Sequence, residues 1–479
     1  MINGLISLFL PGFPTAVVYM LQSTEYQIGP YLNWFWHTKN FSKVMQRRTL
    51  DQTRSAKLLL IVLRLGIMLQ IVIGLSLVYL GLFHGLIGGV AFGFSVIIIS
   101  PILWAHLIVI PLVLGRIFIS VPANKRQIMA SEAIFRNHPA IKIAVVGSYG
   151  KTTMKELLAT VLKTGFKVAE TPANKNVSVS HAQFAKKLVG DEQLLIIEYG
   201  EGAPGDVAKF AQITHPNRAI ITGLAPAHLD QYKTLKAAGH DIFSVAEYVP
   251  ADKLYVNVDS PSVKPFIQPE YQQFSEQGSL GWQTSSIKVD LNGTAFSLKR
   301  DKQIMRLHSG LVGKHQVGFL AMVAALGFDL GLSIDQIEAG IAQTKPFEHR
   351  MQPYQLSGAW VVDDTYNGNL EGIKAGTQLL NEISAKRKIY VTPGLVDQGE
   401  ETEKVHLEVG RLIAKAQPDI VVLMKNSVTN YIQLGLETDG FKGELRIEDQ
   451  PLEFYTNLKH FVASGDLVVM QNDWTDNYA

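Results

Sequence analysis

The sequence predicts two α/β domains carried behind an amino-terminal membrane hairpin, and three observations predict it. A β-like run, Ile141 to Val146, ends in Gly147-Ser148-Tyr149-Gly150-Lys151-Thr152-Thr153, and a helical pattern from Met154 to Leu162 follows. From Ile141 onward, short β-rich runs alternate with helical stretches, the grammar of a mostly parallel sheet covered on both faces. Before residue 120 lie two apolar runs, each long enough to cross a bilayer.

Composition sets the outer bounds. A soft length prior divides the 479 residues into about three domains, read here as 1–124, 125–345 and 346–479. Hydrophobic residues make up 47% and charged ones only 18%, which leans toward a membrane segment. A net charge of +2 is too near neutral to suggest a nucleic-acid partner. The absence of cysteine excludes disulfides, thiolate zinc sites and cysteine nucleophiles, and fits a cytoplasmic catalytic portion.

In the first region, Leu58 to Phe83 is apolar apart from Arg64, Gln70 and small residues, and Leu86 to Gly115 holds no charged residue. At 1.5 Å per residue each exceeds the roughly 30 Å hydrocarbon core. The short turn at His84-Gly85 makes them a hairpin, with Pro101 and Pro111 able to bend the second arm. Leu5 to Leu21, interrupted by Pro11 and Pro14, is a third candidate that spans, re-enters or lies in the interface. A buried soluble hairpin and a cleaved signal peptide both fit the pattern less well. Lys39, Lys43, Arg47, Arg48, Arg54 and Lys57 precede the hairpin, and Arg116, Lys125 and Arg126 follow it. The positive-inside rule then places both flanks in the cytoplasm, with Trp34 and Trp36 as interfacial anchors. Arg64 sits near that face and can snorkel to it, and His106 reads as a packed residue.

The glycine-rich stretch reads as a phosphate loop. Glycines at a strand-to-helix turn let backbone N–H groups approach phosphate oxygens. Lys151 can reach the terminal phosphates, and the Thr152 hydroxyl is placed to ligate Mg²⁺. The full Walker spacing is not met, because Val145 stands where its first glycine would be. Further runs, Leu194 to Ile197, Ala219 to Thr222 and Leu254 to Val258, read as strands of the same sheet. Glu198 and His228 follow two of them, so a carboxylate and an imidazole arrive beside the loop as a candidate Mg²⁺ site. Past a hinge near Pro346, the strands Ala359 to Val362, Lys388 to Thr392, Ile420 to Met424 and Leu467 to Met470 define a smaller domain. The acids Asp363-Asp364 end its first strand, which marks a functional edge because paired buried carboxylates repel.

These stretches occur in a recognisable order: Gly147 to Thr153 with Lys155-Glu156, Ile197-Glu198-Tyr199-Gly200, Ala227-His228-Leu229, Gly313-Lys314-His315, Arg350, and Asp363-Asp364-Thr365-Tyr366-Asn367-Gly368-Asn369. The set resembles the Mur ligases over roughly Ile141 to Tyr478. It is most similar to the branch that adds D-alanyl-D-alanine to a UDP-muramoyl peptide. The amino-terminal hairpin, Thr392-Pro393-Gly394-Leu395-Val396-Asp397 and the closing Asn472 to Tyr478 look like a membrane-tethered form of it.

The resemblance implies a central P-loop ATPase domain, a smaller Rossmann-like carboxyl-terminal domain, and ATP with Mg²⁺ as cofactors. It implies an ATP-dependent acid–amino-acid ligase working through an acyl phosphate on a cell-wall precursor peptide, with carboxylate and amine substrates. Lys151, Glu198 and His228 are its catalytic positions, and Thr152, Glu198 and His228 its metal ligands. His315, Arg350 and Asp364 join Gly147, Ser148, Tyr149, Gly150, Lys151, Thr152 and Thr153 around ATP, while Asn174, Asn176, Tyr366 and Asn367 face substrate. The implied location is the cytoplasmic membrane, with the bilayer as partner and the catalytic domains inside.

Some positions depart from the family pattern. Gly239 stands where a carbamylated lysine bridges a second Mg²⁺, with His240, Asp241 or Lys236 as substitutes, and Phe319 stands where an asparagine meets adenine. Val177 and Ser180 replace smaller or glycine positions. Two other readings therefore stay open: the same chemistry on another acid, such as a glutamyl polymer or a lipid-linked peptide, and a nucleotide-binding membrane scaffold with little catalysis.

Overall fold

The computed structural model describes residues 6–472 except 25, 39, 45–49, 173–175, 227–228, 367 and 397. The chain forms two compact units, Met1–Arg126 and Gln127–Ala479.

In the first unit, helices α1 (Phe13–Ser23), α2 (Ile28–His37), α3 (Arg54–Phe83) and α4 (Gly89–Leu107) succeed one another. The stretch expected at 5–21 does not form a single spanning helix. Pro11 and Gly12 precede α1, whose 11 residues extend only about 16 Å, half a hydrocarbon core. The arm expected at 86–115 instead starts at Gly89 and continues as one helical path to Asn137. Pro101 sits inside α4. Its missing N–H deprives the Ile97 carbonyl, which accepts from Ser100 Oγ at 2.9 Å instead.

The hairpin packs closely because glycines face the opposite arm. A Cβ on Gly66 would lie 2.4 Å from the Trp104 ring, and one on Gly74 would lie 2.8 Å from the Gly93 carbonyl. Gln70 Nε2 donates to Val96 O at 3.1 Å across the pair. Phe13, Val17, Leu21, Tyr31, Phe35 and Leu63 form the core of this unit. Arg54–Phe83 and Gly89–Asn137 are both long and apolar enough to cross a membrane. Only 22% of the most apolar window of each is buried.

The second unit begins with α5 (Val121–Asn137), which straddles the boundary, and holds two sheets. The first comprises β1 (Ile141–Val146), β2 (Val168–Glu170), β3 (Leu194–Glu198), β4 (Arg218–Ile221), β5 (Leu254–Asn257), β6 (Gln272–Ser275), β7 (Gly278–Ser279), β8 (Trp282–Asp290), β9 (Gly293–Arg300) and β10 (Gln303–Ser309). Their order is β10-β9-β8-β7-β6-β5-β4-β1-β3-β2. The pairs from β2 to β6 are parallel, as expected. Those from β6 to β10 are antiparallel, so the expected strand–helix alternation up to Lys345 fails over residues 272–309. Short turns at Leu291-Asn292 and Asp301-Lys302 leave no room for crossover helices.

Successive residues of β1 feed opposite faces. Ile143 and Val145 join a core with α6 (Lys151–Leu162), α10 (Gln316–Asp329) and α11 (Ile334–Ala342). Ala144 and Val146 join the other core, with α7 (Ser178–Ala185), α8 (Asp206–Thr214) and α9 (Leu235–Phe243). Because α10 is apolar on every side, twelve successive residues, Gln316 to Gly327, are buried.

The second sheet comprises β11 (Gln352–Leu356), β12 (Ala359–Asp364), β13 (Arg387–Thr392), β14 (Ile420–Met424), β15 (Glu444–Glu448) and β16 (Asp466–Gln471), ordered β11-β12-β16-β13-β14-β15. All pairs are parallel except β11 with β12. The outer strands β11 and β15 carry no apolar run and escape a sequence reading; Pro353 is tolerated because β11 is an edge. Helices α12 (Leu370–Glu382), α13 (Thr402–Ala416), α14 (Thr429–Thr438) and α15 (Pro451–Phe461) cover this sheet.

Helices α13 and α14 touch backbone to backbone through Gly410 and Gly435, where a Cβ on Gly435 would lie 2.2 Å from Leu407 O. Gly435→Val should therefore lower stability by about 2 kcal/mol or more, as overpacking does. A fall in the unfolding midpoint of the variant checks this.

Candidate nucleotide and metal site

The site grows from the register of three neighbouring strands. Parallel pairing sets Val145 opposite Glu198 and Val146 opposite Ile221, so β3, β1 and β4 end together. The loop after β1 is tight. Gly147 has φ +144°, and a Cβ there would lie 2.2 Å from Thr222 Oγ1; Gly150 has φ +72°, and its Cβ would lie 2.6 Å from the Phe319 ring. Ser148 N donates to Gly223 O at 2.9 Å, and the Thr222 hydroxyl donates to the carbonyls of Val146 and Tyr149. Helix α6 opens directly from Gly150, so its first-turn amides have no intrahelical partner and face the loop.

Lys151 Nζ donates to Gly147 O at 2.6 Å and pairs with Glu201 at 2.5 Å. Glu201 was not a sequence candidate; its signal is a second acid three residues past the strand-end Glu198. Thr152 Oγ1 donates to Glu198 Oε1 at 3.1 Å, and Asn176 Nδ2 donates to the same oxygen at 3.2 Å. The structure thus brings together Lys151, Thr152, Asn176 and Glu198.

Glu198 is 2% exposed. Its Oε2 has no hydrogen-bond partner among the described residues, and the fully buried Lys155 ammonium stands 4.0 Å away. Lys155 is held by Glu156 and by Thr171 O, each at 2.9 Å. A buried carboxylate oxygen without a donor, beside a threonine hydroxyl, is a donor set suited to a hard divalent cation. His181, also unforeseen, is buried behind Glu198 with Nε2 at 2.9 Å from its backbone carbonyl. Burial pushes its imidazole down to about 4, so it is neutral at pH 7 and donates to that carbonyl.

His228, Asn174 and Asn367 lie outside the described residues. Among the described residues, no three acidic or histidine side chains gather as a metal cluster. At Gly239 a Cβ would lie 2.2 Å from the Phe266 ring, so phenylalanine fills the space a longer side chain would enter. Asp241 is engaged elsewhere, accepting from Gly205 N at 2.7 Å and Tyr232 OH at 2.8 Å. His240 packs edge-on against Phe266, and Lys236 is exposed. None of the three substitutes is thereby joined to Glu198.

A second cluster forms at the end of β12. The Arg350 guanidinium lies over the Tyr366 ring, 4.8 Å from its centroid. Asp364 accepts from Met351 N at 3.1 Å and Gln471 Nε2 at 2.7 Å. His349 Nδ1 lies 2.8 Å from Asp363, which also accepts from Thr365. Burial pushes the Asp364 carboxyl up to about 6, outweighing the Gln471 and Met351 hydrogen bonds and the Arg350 charge. Glu371 of α12 lies near enough for its charge to act on Tyr149. Burial chiefly, with the Glu371 charge adding, raises that phenol to about 12. His315 precedes α10, exposed, with its ring beneath Gly313 and beside the Gln316 amide.

Residues 145–327 match the sequence model of the family described as Mur ligase middle domain. The UDP-N-acetylmuramoyl-tripeptide–D-alanyl-D-alanine ligase of Escherichia coli is 28% identical over 291 residues, covering 59% of this chain and 64% of that one. Its namesake from Mycobacterium leprae is 27% identical over 364 residues, covering 69% and 70%. The chain thus spans under two thirds of the first relative's length. Among solved structures, MurF ligase from Thermotoga maritima in complex with ADP superimposes with a TM-score of 0.64 at 21% identity, covering 73% of this chain and 80% of that one. A pseudomurein peptide ligase type C from Methanothermus fervidus gives 0.55 at 17%, covering 71% and 78%. These neighbours share the fold of the second unit.

The raised Asp364 pKa has a sign that can be checked. The fold favours the protonated carboxyl, so its contribution is complete below the unfolded value of 3.8 and is lost as pH rises through about 6. Wild type should lose up to about 3 kcal/mol relative to Asp364→Asn between about pH 4 and pH 7. Paired unfolding curves across that window check it, and a wild type that gains stability instead would refute the burial argument.

Proposed function

We propose that the chain is a membrane-anchored, ATP-dependent amide ligase acting on a carboxylate-bearing cell-wall precursor peptide and an amino acid or dipeptide amine. The observation that carries this reading is the phosphate loop with Lys151 and Thr152 set directly against the strand-end carboxylates Glu201 and Glu198. The relatives' names motivate the substrate class.

In this reading the substrate carboxylate attacks the γ-phosphorus of ATP, the β–γ bridging bond breaks, and ADP leaves behind an acyl phosphate. The amine then attacks the acyl carbon, inorganic phosphate departs, the nitrogen loses its proton and an amide remains. The first-turn amides of α6 and Lys151 hold the phosphates. Lys151 exchanges its contact with Glu201 for the transferring group and spreads its charge. Thr152, Glu198 and, by resemblance, His228 would hold Mg²⁺, which supplies charge neutralisation for the phosphoryl oxygens. Asn176 and Lys155 orient Glu198. Arg350, Tyr366 and Asp364 present a flat cation, a ring and a carboxyl from the second cluster for the nucleotide and the incoming substrate.

A second reading, nucleotide binding with little turnover, is favoured by Phe266 at Gly239 and by Phe319 against Gly150. One experiment separates the two. ADP release should require both an acid and an amine, and Lys151→Ala should lower it by about 100-fold or more while the protein stays folded. Nucleotide binding with no ADP release when acid and amine are supplied favours the scaffold, and near-normal turnover in Lys151→Ala refutes the phosphate-loop assignment.

We infer further that α3 and the helix from Gly89 cross the cytoplasmic membrane with the catalytic unit inside. The support is the basic flanks, the apolar length and the exposure of both helices. The chain has no cysteine, so single introduced thiols report cleanly. In intact cells His84→Cys, in the hairpin turn, should react with an impermeant thiol reagent and exposed Lys302→Cys should not. The opposite pattern would invert the topology.

A further inference from the structure

We propose that the amino-terminal unit holds one anionic phospholipid, with its phosphate against Arg64 and an acyl chain in the cavity beside it. The proposal rests on the membrane reading above. A cavity of about 390 Å³ opens between the segment leading into α1 and helices α3 and α4. Phe9, Pro11, Pro14, Met68 and Pro101 are among its walls, and Arg64 is the only charged residue among the described residues that line it.

Among the described residues that arginine has no counter-charge. Its guanidinium reaches Thr15 Oγ1 at 3.5 Å, the outer limit of a hydrogen bond, and it forms no ion pair among the described residues. The unit offers little to neutralise it. Residues 1–126 hold ten Lys and Arg against only Glu25 and Asp51, although the whole chain is nearly neutral. An arginine among apolar walls, inside a helix otherwise suited to lipid, takes its anion from outside the chain.

Depth selects the source of that anion. Arg64 lies ten residues past Arg54, the start of α3, so about 15 Å along the helix. A snorkelling guanidinium there reaches the phosphate and glycerol level of the leaflet that carries the basic flank. Guanidinium binds phosphate through paired hydrogen bonds, and the apolar walls suit a hydrocarbon chain. Free phosphate would gain nothing from those walls, and the positive unit disfavours a zwitterion relative to a net anion.

The test uses the full chain in a mild non-ionic detergent, offered phosphatidylglycerol, phosphatidylcholine or inorganic phosphate, with retained ligand counted by native mass spectrometry. One phosphatidylglycerol per chain should be retained, about tenfold more tightly than phosphatidylcholine, and inorganic phosphate should not be retained. Arg64→Gln should weaken that retention about tenfold, whereas Arg64→Lys and Lys57→Gln should keep most of it. Equal retention in Arg64→Gln, equal retention of phosphatidylcholine, or retention of free phosphate alone overturns the proposal. Carbonate-washed membranes test the tether separately. A chain released into the soluble fraction overturns both readings, whereas a membrane-integral chain whose Arg64→Gln form keeps its lipid overturns this one alone.

Discussion

The parallel pairing of β1 with β3 on one side and β4 on the other is the constraint on which the site depends. Parallel strands end on the same edge, so one register brings the phosphate loop, Glu198 and Thr222-Gly223 within side-chain reach of one another. A slip of one residue in β3 would turn Glu198 into the opposite face of the sheet and put an isoleucine beside Thr152. The apolar alternation that splits Leu195 and Ile197 from Leu194 and Ile196 between two cores forbids that slip. Packing energy therefore fixes the chemistry of the edge.

Charge is then added to that edge at a cost in desolvation. Lys155 and Glu198 are both buried, and they come with Glu156, Thr171 and Asn176 as further partners. Breaking a buried pair leaves an uncompensated charge, at about 3–5 kcal/mol, whereas an exposed pair such as Lys167–Asp191 is screened by solvent and contributes little. The buried set is thus the one whose geometry the protein must maintain. The unpartnered Glu198 oxygen within it is the place where a cation would repay the desolvation.

The amino-terminal unit obeys a different physics. Glycines at 66, 74 and 81 let α3 and α4 approach closely through backbone, aliphatic and aromatic contacts. Their outward side chains stay apolar and largely exposed. Pro101 is accommodated because a neighbouring serine takes over the carbonyl it abandons.

The sequence by itself determined the strand–glycine–helix motif, the parallel strands on either side of it, the strand-end acids Glu198 and Asp363-Asp364, and the two long helices. Those features are local, written in periodicity, glycine placement and apolar length, so they need no knowledge of what packs against them. The antiparallel run from β6 to β10 and the edge strands β11 and β15 are not legible that way, because half-exposed strands carry weak patterns whose partners decide them. The same holds for the pairing of Lys151 with Glu201, the burial of Lys155 and His181 behind Glu198, and the capture of Asp241 by Tyr232 and Gly205. Gly239 shows the difference most plainly. Its sequence position says only that a side chain is missing, whereas the fold shows Phe266, 27 residues further along, occupying the space, since only tertiary packing decides which distant residue fills a gap.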